Sequence, residues 1–112
     1  MARSYHVTTG TGAVAATLIN GASDYLGIVV ATAETTPFYI KLWWSGNTNV
    51  APTVGTTIPK LTIEVPTTGL SSHLSFPLNN GGLLYWWAST NAADTDSTAL
   101  VVGGDVITII FD

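Results

Sequence analysis

The chain has 112 residues, no cysteine, 9% charged residues and a net charge of −4. That length is one domain with room for a self-sufficient core, and the missing cysteine excludes disulfides, thiolate metal sites and a thiol nucleophile. Arg3, Lys41 and Lys60 are the only strong cations, too few and too scattered to grip nucleic acid or an anionic membrane surface.

Ordinary soluble domains are about one quarter charged. Solubility here must rest on Ser, Asn, Gly and the eighteen threonines. Low charge with enriched aromatics is also the composition of the centre of a protein interface. A neutral, Thr-rich monomer is the plain alternative.

The first residues, Met1-Ala2-Arg3-Ser4, have no apolar run behind them, so no secretory signal is expected. Ser4 to Thr8 has the pattern of a short strand, and Thr9-Gly10-Thr11-Gly12 follows as a flexible joint. Residues 1–12 are therefore expected to form an N-terminal arm, with Arg3, Tyr5 and Val7 reaching a neighbour. A frayed terminus is the alternative. Residues 13–112 are expected to form a single β-domain.

Within that domain helical periodicity is scarce, while Thr, Val, Ile, Gly and Pro abound. Ala13 to Ile19 is a weaker strand. Tyr25 to Ala31 is continuously apolar, as in a strand covered on both faces. From Pro37 to Trp44, Phe38, Ile40, Leu42 and Trp44 alternate with Tyr39, Lys41 and Trp43, and Lys41 marks the second set as outward. Leu61, Ile63 and Val65 alternate with Lys60, Thr62 and Glu64; Leu70, Ser72, Leu74 and Phe76 alternate with Ser71, His73 and Ser75. Leu83 to Ser89 and Val106 to Phe111 are again continuously apolar.

Turns are expected at Asn20-Gly21, Ser45-Gly46-Asn47, Val54-Gly55, Pro66 to Gly69, Asn79 to Gly82 and Gly103-Gly104-Asp105. Seven or eight short strands at this spacing predict an all-β, two-sheet antiparallel sandwich, a jelly roll, with a closed barrel as the alternative. No apolar run is long enough to cross a bilayer.

Catalytic patterns are thin. His73 follows Ser71-Ser72, but strand neighbours point apart, so the spacing gives no triad. Gly-x-Ser-x-Gly and phosphate-loop patterns are absent. No two carboxylates can be set opposite each other from sequence, so no enzyme and no cofactor are expected. Asp94-Thr95-Asp96-Ser97-Thr98 is the one dense run of oxygen donors. Asp94 and Asp96 are a candidate for calcium, against the reading that they bond their own turn.

The aromatics remain. Trp43-Trp44 and Tyr85-Trp86-Trp87 lie in strand segments, and alternation sends at least one large ring of each cluster away from the core. Tyr39 and Trp43 form an outward row around Lys41, suited to a subunit interface or to stacking on sugar rings.

Several stretches carry a family likeness: Tyr39-Ile40-Lys41-Leu42, Ala51 to Thr56, Pro59 to Ile63, Asn80 to Leu83, Asn91 to Thr98 and Gly104-Asp105-Val106. Together they resemble small β-sandwich virion proteins of tailed bacteriophages, over roughly residues 25–112. These are turns and strand edges rather than chemistry.

The resemblance implies a non-enzymatic capsid decoration or cement protein, a homotrimer bound to the major capsid protein on the virion surface and made in the host cytoplasm. It also implies that Leu84, Trp86 and Ala88 face inward, with Tyr85 and Trp87 outside. Trp87 and Trp44 depart from it, standing where a small and a polar residue are typical. The expected contact residues are Tyr39, Trp43, Tyr85 and Trp87, together with the arm. A carbohydrate-binding or host-recognition module, or a tail or fibre component, is the alternative.

Overall fold

The computed structural model describes residues 3–10, 17–19, 24–44, 50–78 and 83–112, apart from the side chains of Leu18 and Phe76. The expected turns at Asn20-Gly21, Ser45-Gly46-Asn47 and Asn79 to Gly82 lie outside the described residues, as do Thr11-Gly12 and the start of the strand expected from Ala13.

Every regular element among the described residues is a β-strand: β1 Arg3–Thr8, β2 Thr17–Ile19, β3 Asp24–Ala31, β4 Phe38–Trp44, β5 Leu61–Val65, β6 Leu70–Ser72, β7 Phe76–Pro77, β8 Leu84–Ser89 and β9 Val106–Phe111. One sheet has the order β1-β9-β3-β6, with β7 also on β3; the other has the order β2-β8-β4-β5. All pairings are antiparallel. The chain alternates between the two sheets except at the β4–β5 hairpin and between β6 and β7. With β6 and β7 sharing one position, this is the eight-position order of a jelly roll.

One core lies between the sheets. Alternation places Phe38, Ile40 and Leu42 of β4 and Leu84, Trp86 and Ala88 of β8 on one side of it, with Tyr25, Ile28 and Val30 of β3 and Ile107, Ile109 and Phe111 of β9 opposite. Trp44, Leu61 and Ile63 pack against its margin. The inward set expected for β4 and the implied inward set for β8 are those seen.

Two glycines shape one edge. Gly27 sits at a register shift in β3, and a Cβ there would meet the Ser72 carbonyl oxygen at 2.4 Å. The shift splits the partner of β3, so β6 pairs with Ile28–Val30 and β7 with Asp24–Tyr25. The segment between them leaves the sheet, and Leu74, expected inward, is 62% exposed. Gly69, at φ +88°, closes the turn from Pro66 with its N–H on the Pro66 carbonyl at 3.0 Å.

Arg3 to Thr8, expected in an N-terminal arm, lie in the first sheet. Residues Arg3 to Thr8 pair one for one with Phe111 to Val106 and form the edge of the first sheet. Tyr5 and Val7 pack on the core, and the Tyr5 ring meets Trp86 at 6.4 Å. The Arg3 guanidinium lies 4.6 Å over the Phe111 ring. Tyr5 and Val7 thus face the core of their own chain, half-buried at its margin, while Arg3 stays exposed.

Candidate interaction surface

The outer face of the second sheet carries the residues singled out by sequence. Lys41 stands opposite Trp87, Trp43 opposite Tyr85, and Tyr39 opposite Ser89. All are on the side away from the core, as parity requires. Their exposure differs from expectation. Trp87 and Lys41 are 0% exposed and Tyr85 is 6% exposed, whereas Tyr39 and Trp43 are half-buried.

Residues after β8 fold back against this face. The Lys41 Nζ donates to the Ala93 carbonyl at 2.5 Å and to the Asp96 carbonyl at 3.2 Å. Burial pulls the Lys41 pKa down, and the nearby Asp96 and Asp94 carboxylates oppose that pull. An outward lysine was expected to mark a wet face. Its long stem instead lies along the sheet, with its ammonium covered by backbone carbonyls.

The same segment is closed by Asp96. Its Oδ1 accepts from Thr98 Oγ1 at 2.7 Å and Asn91 Nδ2 at 3.3 Å; its Oδ2 accepts from Asn91 N at 3.2 Å and Thr98 N at 3.3 Å. Burial acts to raise its pKa, but these bonds outweigh it and hold the carboxyl below the usual range. Both oxygens are thus engaged, and Lys41 holds two carbonyls that a cation would otherwise use. Among the described residues no three metal-ligating side chains converge. Asp96 bonds its own turn, the alternative reading of the run.

Sequence reasoning missed a second polar cluster. Asp105 is fully buried. It accepts from Thr9 Oγ1 at 2.7 Å, Thr32 Oγ1 at 3.1 Å and Ala33 N at 2.7 Å. Glu34 accepts from Val102 N at 2.9 Å and Gly103 N at 3.0 Å. The two carboxyl groups lie close enough for each to shift the other, Asp105 acting to raise Glu34 and Glu34 acting to lower Asp105.

Desolvation and the Asp105 carboxylate raise the Glu34 pKa. Desolvation also acts to raise Asp105, but its hydrogen bonds win and lower it. The pair ties the end of β1, the β3–β4 connection and the approach to β9 together. Its oxygens hold backbone and threonine rather than facing a cleft. Only contacts distant in sequence reveal it; the sole local signal is the Gly103-Gly104 turn before Asp105.

The histidines stand apart from this cluster. His6 bonds Thr108 Oγ1 at 2.9 Å on the outer face of the first sheet, and His73 is exposed. That outer face is formed by Ser4, His6 and Thr8 of β1, Val106, Thr108 and Ile110 of β9, and Val29 and Ala31 of β3. None of these is an acid, lysine or arginine, and Val29 is 41% exposed. β3 and β9 were expected to be covered on both sides; here their outer side chains are half-buried or exposed.

Comparison with protein-family models, with curated proteins and with solved structures found no match.

Proposed function

We propose that this protein is a structural component of a phage virion, a capsid decoration protein that binds the shell and itself through uncharged contacts. The observation that supports this most is the broad outer face of the β1-β9-β3-β6 sheet, uncharged from Ser4 to Thr8, Val106 to Ile110 and Val29 to Ala31 with acids only at the Asp24–Asp112 end, in a chain whose cations are already engaged or isolated. Such a surface associates through apolar area and backbone bonding rather than through ion pairs. The jelly roll is a fold of viral capsid domains, although lectins share it. Tyr39 and Trp43, half-open on the other sheet, are the aromatic anchors for the shell. Tyr85 and Trp87 support them from below and take no direct part. No reaction is assigned.

A glycan-binding module is the second reading, favoured by the half-open Trp43 indole, whose ring stands 6.0 Å from that of Tyr85. Against it, the buried Lys41 and its covering segment interrupt the row between Tyr39 and Trp43, leaving no continuous stacking platform. A glycan array separates the two readings. Binding that disappears in Trp43→Ala supports the sugar. A blank array, with binding to undecorated phage shells that weakens in the same variant, supports decoration.

A further inference from the structure

The four sheet edges are not alike. β6 and β7 form an edge broken into three and two residues that ends in Pro77; β2 is described over Thr17–Ile19 only; β5 carries the exposed Glu64 and follows Lys60. Short length, proline, irregular pairing and charge are the devices that keep an edge from pairing with another chain. β1 has none of them. It is six residues long, with unbroken register, no proline and no lysine. Its one charge, Arg3, is drawn over the chain's own Phe111.

The free side of β1 can be read from its ladder. The Thr9 N–H donates to the Asp105 carbonyl at 2.8 Å, continuing the β1–β9 register. Antiparallel alternation then gives the backbone groups of Val7, Tyr5 and Arg3 to β9. Those of Ser4, His6 and Thr8 point away from it, and no described strand meets them.

We infer that β1 is a homodimer contact in which two copies pair their β1 strands antiparallel about a two-fold axis at His6. In this register His6 exchanges both backbone bonds with His6 of the second copy, and Ser4 does so with Thr8 of the second copy. The core-side residues then match as well. Tyr5 comes opposite Val7 of the second copy in a non-hydrogen-bonded pair, the closer kind, joining an aromatic to a β-branched side chain twice over. Both are half-buried at the margin of the core, so the contact continues that core across the axis. No charged side chain faces its like. The occupant is a second copy because the strand is complementary to itself in backbone, in facing and in side-chain size.

This contact rests on the self-association in the proposed function and not on shell binding, and the test keeps the two apart. The chain has no cysteine, so single cysteines report register cleanly. Under mild oxidation His6→Cys gives a disulfide-linked dimer, since paired residues about 5.5 Å apart across the strands are within disulfide reach. Ser4→Cys alone does not cross-link, but mixing it with Thr8→Cys does.

In sedimentation velocity the unmodified protein runs as a dimer. His6→Lys, which sets two ammonium groups against each other at an exposed position, runs as a monomer with unchanged circular dichroism and melting. A monomer at every concentration, a trimer, a dimer that survives His6→Lys, or Ser4→Cys cross-linking as readily as His6→Cys each overturns the inference. Shell binding by a monomeric protein leaves the decoration reading standing and removes only this contact. A β1 dimer that binds no shell does the reverse.

Discussion

Lys41 and Trp87 face each other across β4 and β8 on the side of the sheet away from the core, and neither is exposed. The lysine is fixed by the carbonyls of Ala93 and Asp96, so an internal ammonium holds the segment after β8 against the sheet. Lys41→Ala leaves both carbonyls without their charged donor. Hydrogen bonds to charged groups contribute about 1.5–3 kcal/mol each, so unfolding in urea is expected to show a loss on the order of 3 kcal/mol. A change below half a unit of that scale would mean the segment stays in place without Lys41.

Trp86 and Trp87 are adjacent, buried, and both without a partner for the indole N–H among the described residues. Trp86 touches Tyr5 within the core, and Trp86→Ala is expected to cost about 3–5 kcal/mol. Trp87→Phe removes an unpaired donor and keeps most of the ring. Its cost should stay below about 1.5 kcal/mol, and comparison of the two urea midpoints at equal slope checks the order.

The Glu34–Asp105 pair makes stability depend on pH in both directions. Glu34 is raised in the fold; its contribution is complete below the ordinary glutamate pKa and is lost as pH rises through the raised value. Asp105 is lowered; its contribution is complete above the ordinary aspartate pKa and is lost as pH falls through the lowered value. Stability from the pair is therefore greatest between the ordinary aspartate and ordinary glutamate values, and it falls on the acid side toward the lowered Asp105 value and on the alkaline side toward the raised Glu34 value. Glu34→Gln keeps a donor toward Asp105 and should flatten the decline on the alkaline side, read as melting temperature against pH. An unchanged profile would show that Glu34 and Asp105 do not shift each other.

Gly27 is required by space rather than by φ. A methyl group 2.4 Å from the Ser72 carbonyl must push β6 off β3, so Gly27→Ala is expected to cost about 1–3 kcal/mol. Amide exchange of Val29 and Val30 should rise with it. Protection equal to that of the unaltered chain would place the bulge elsewhere.

Much of the fold was legible because strand alternation is local. Phe38, Ile40 and Leu42 against Tyr39, Lys41 and Trp43 read directly as inside and outside, and the turn at Pro66 to Gly69 carried its own chemistry. Exposure was not legible in the same way. Parity tells which side of a sheet a ring is on, but not whether another segment returns over it, as the residues after β8 do over Lys41. Nor does a local pattern reveal that Thr9, Glu34 and Asp105 meet, since they come from three separate parts of the chain. The Asp94-Thr95-Asp96 run looked like metal chemistry because the backbone donors that satisfy Asp96 are invisible in a list of side chains.

The proposed decoration of a phage shell through uncharged contacts is tested most directly by sedimentation with phage shells stripped of accessory proteins. The expected result is saturable co-sedimentation that persists in molar salt, because little of the contact is ionic and the Debye length there is only about 3 Å. Tyr39→Ala and Trp43→Ala should weaken it while leaving the fold intact. Absence from the shell pellet at every salt concentration, or binding that molar salt abolishes, would contradict it.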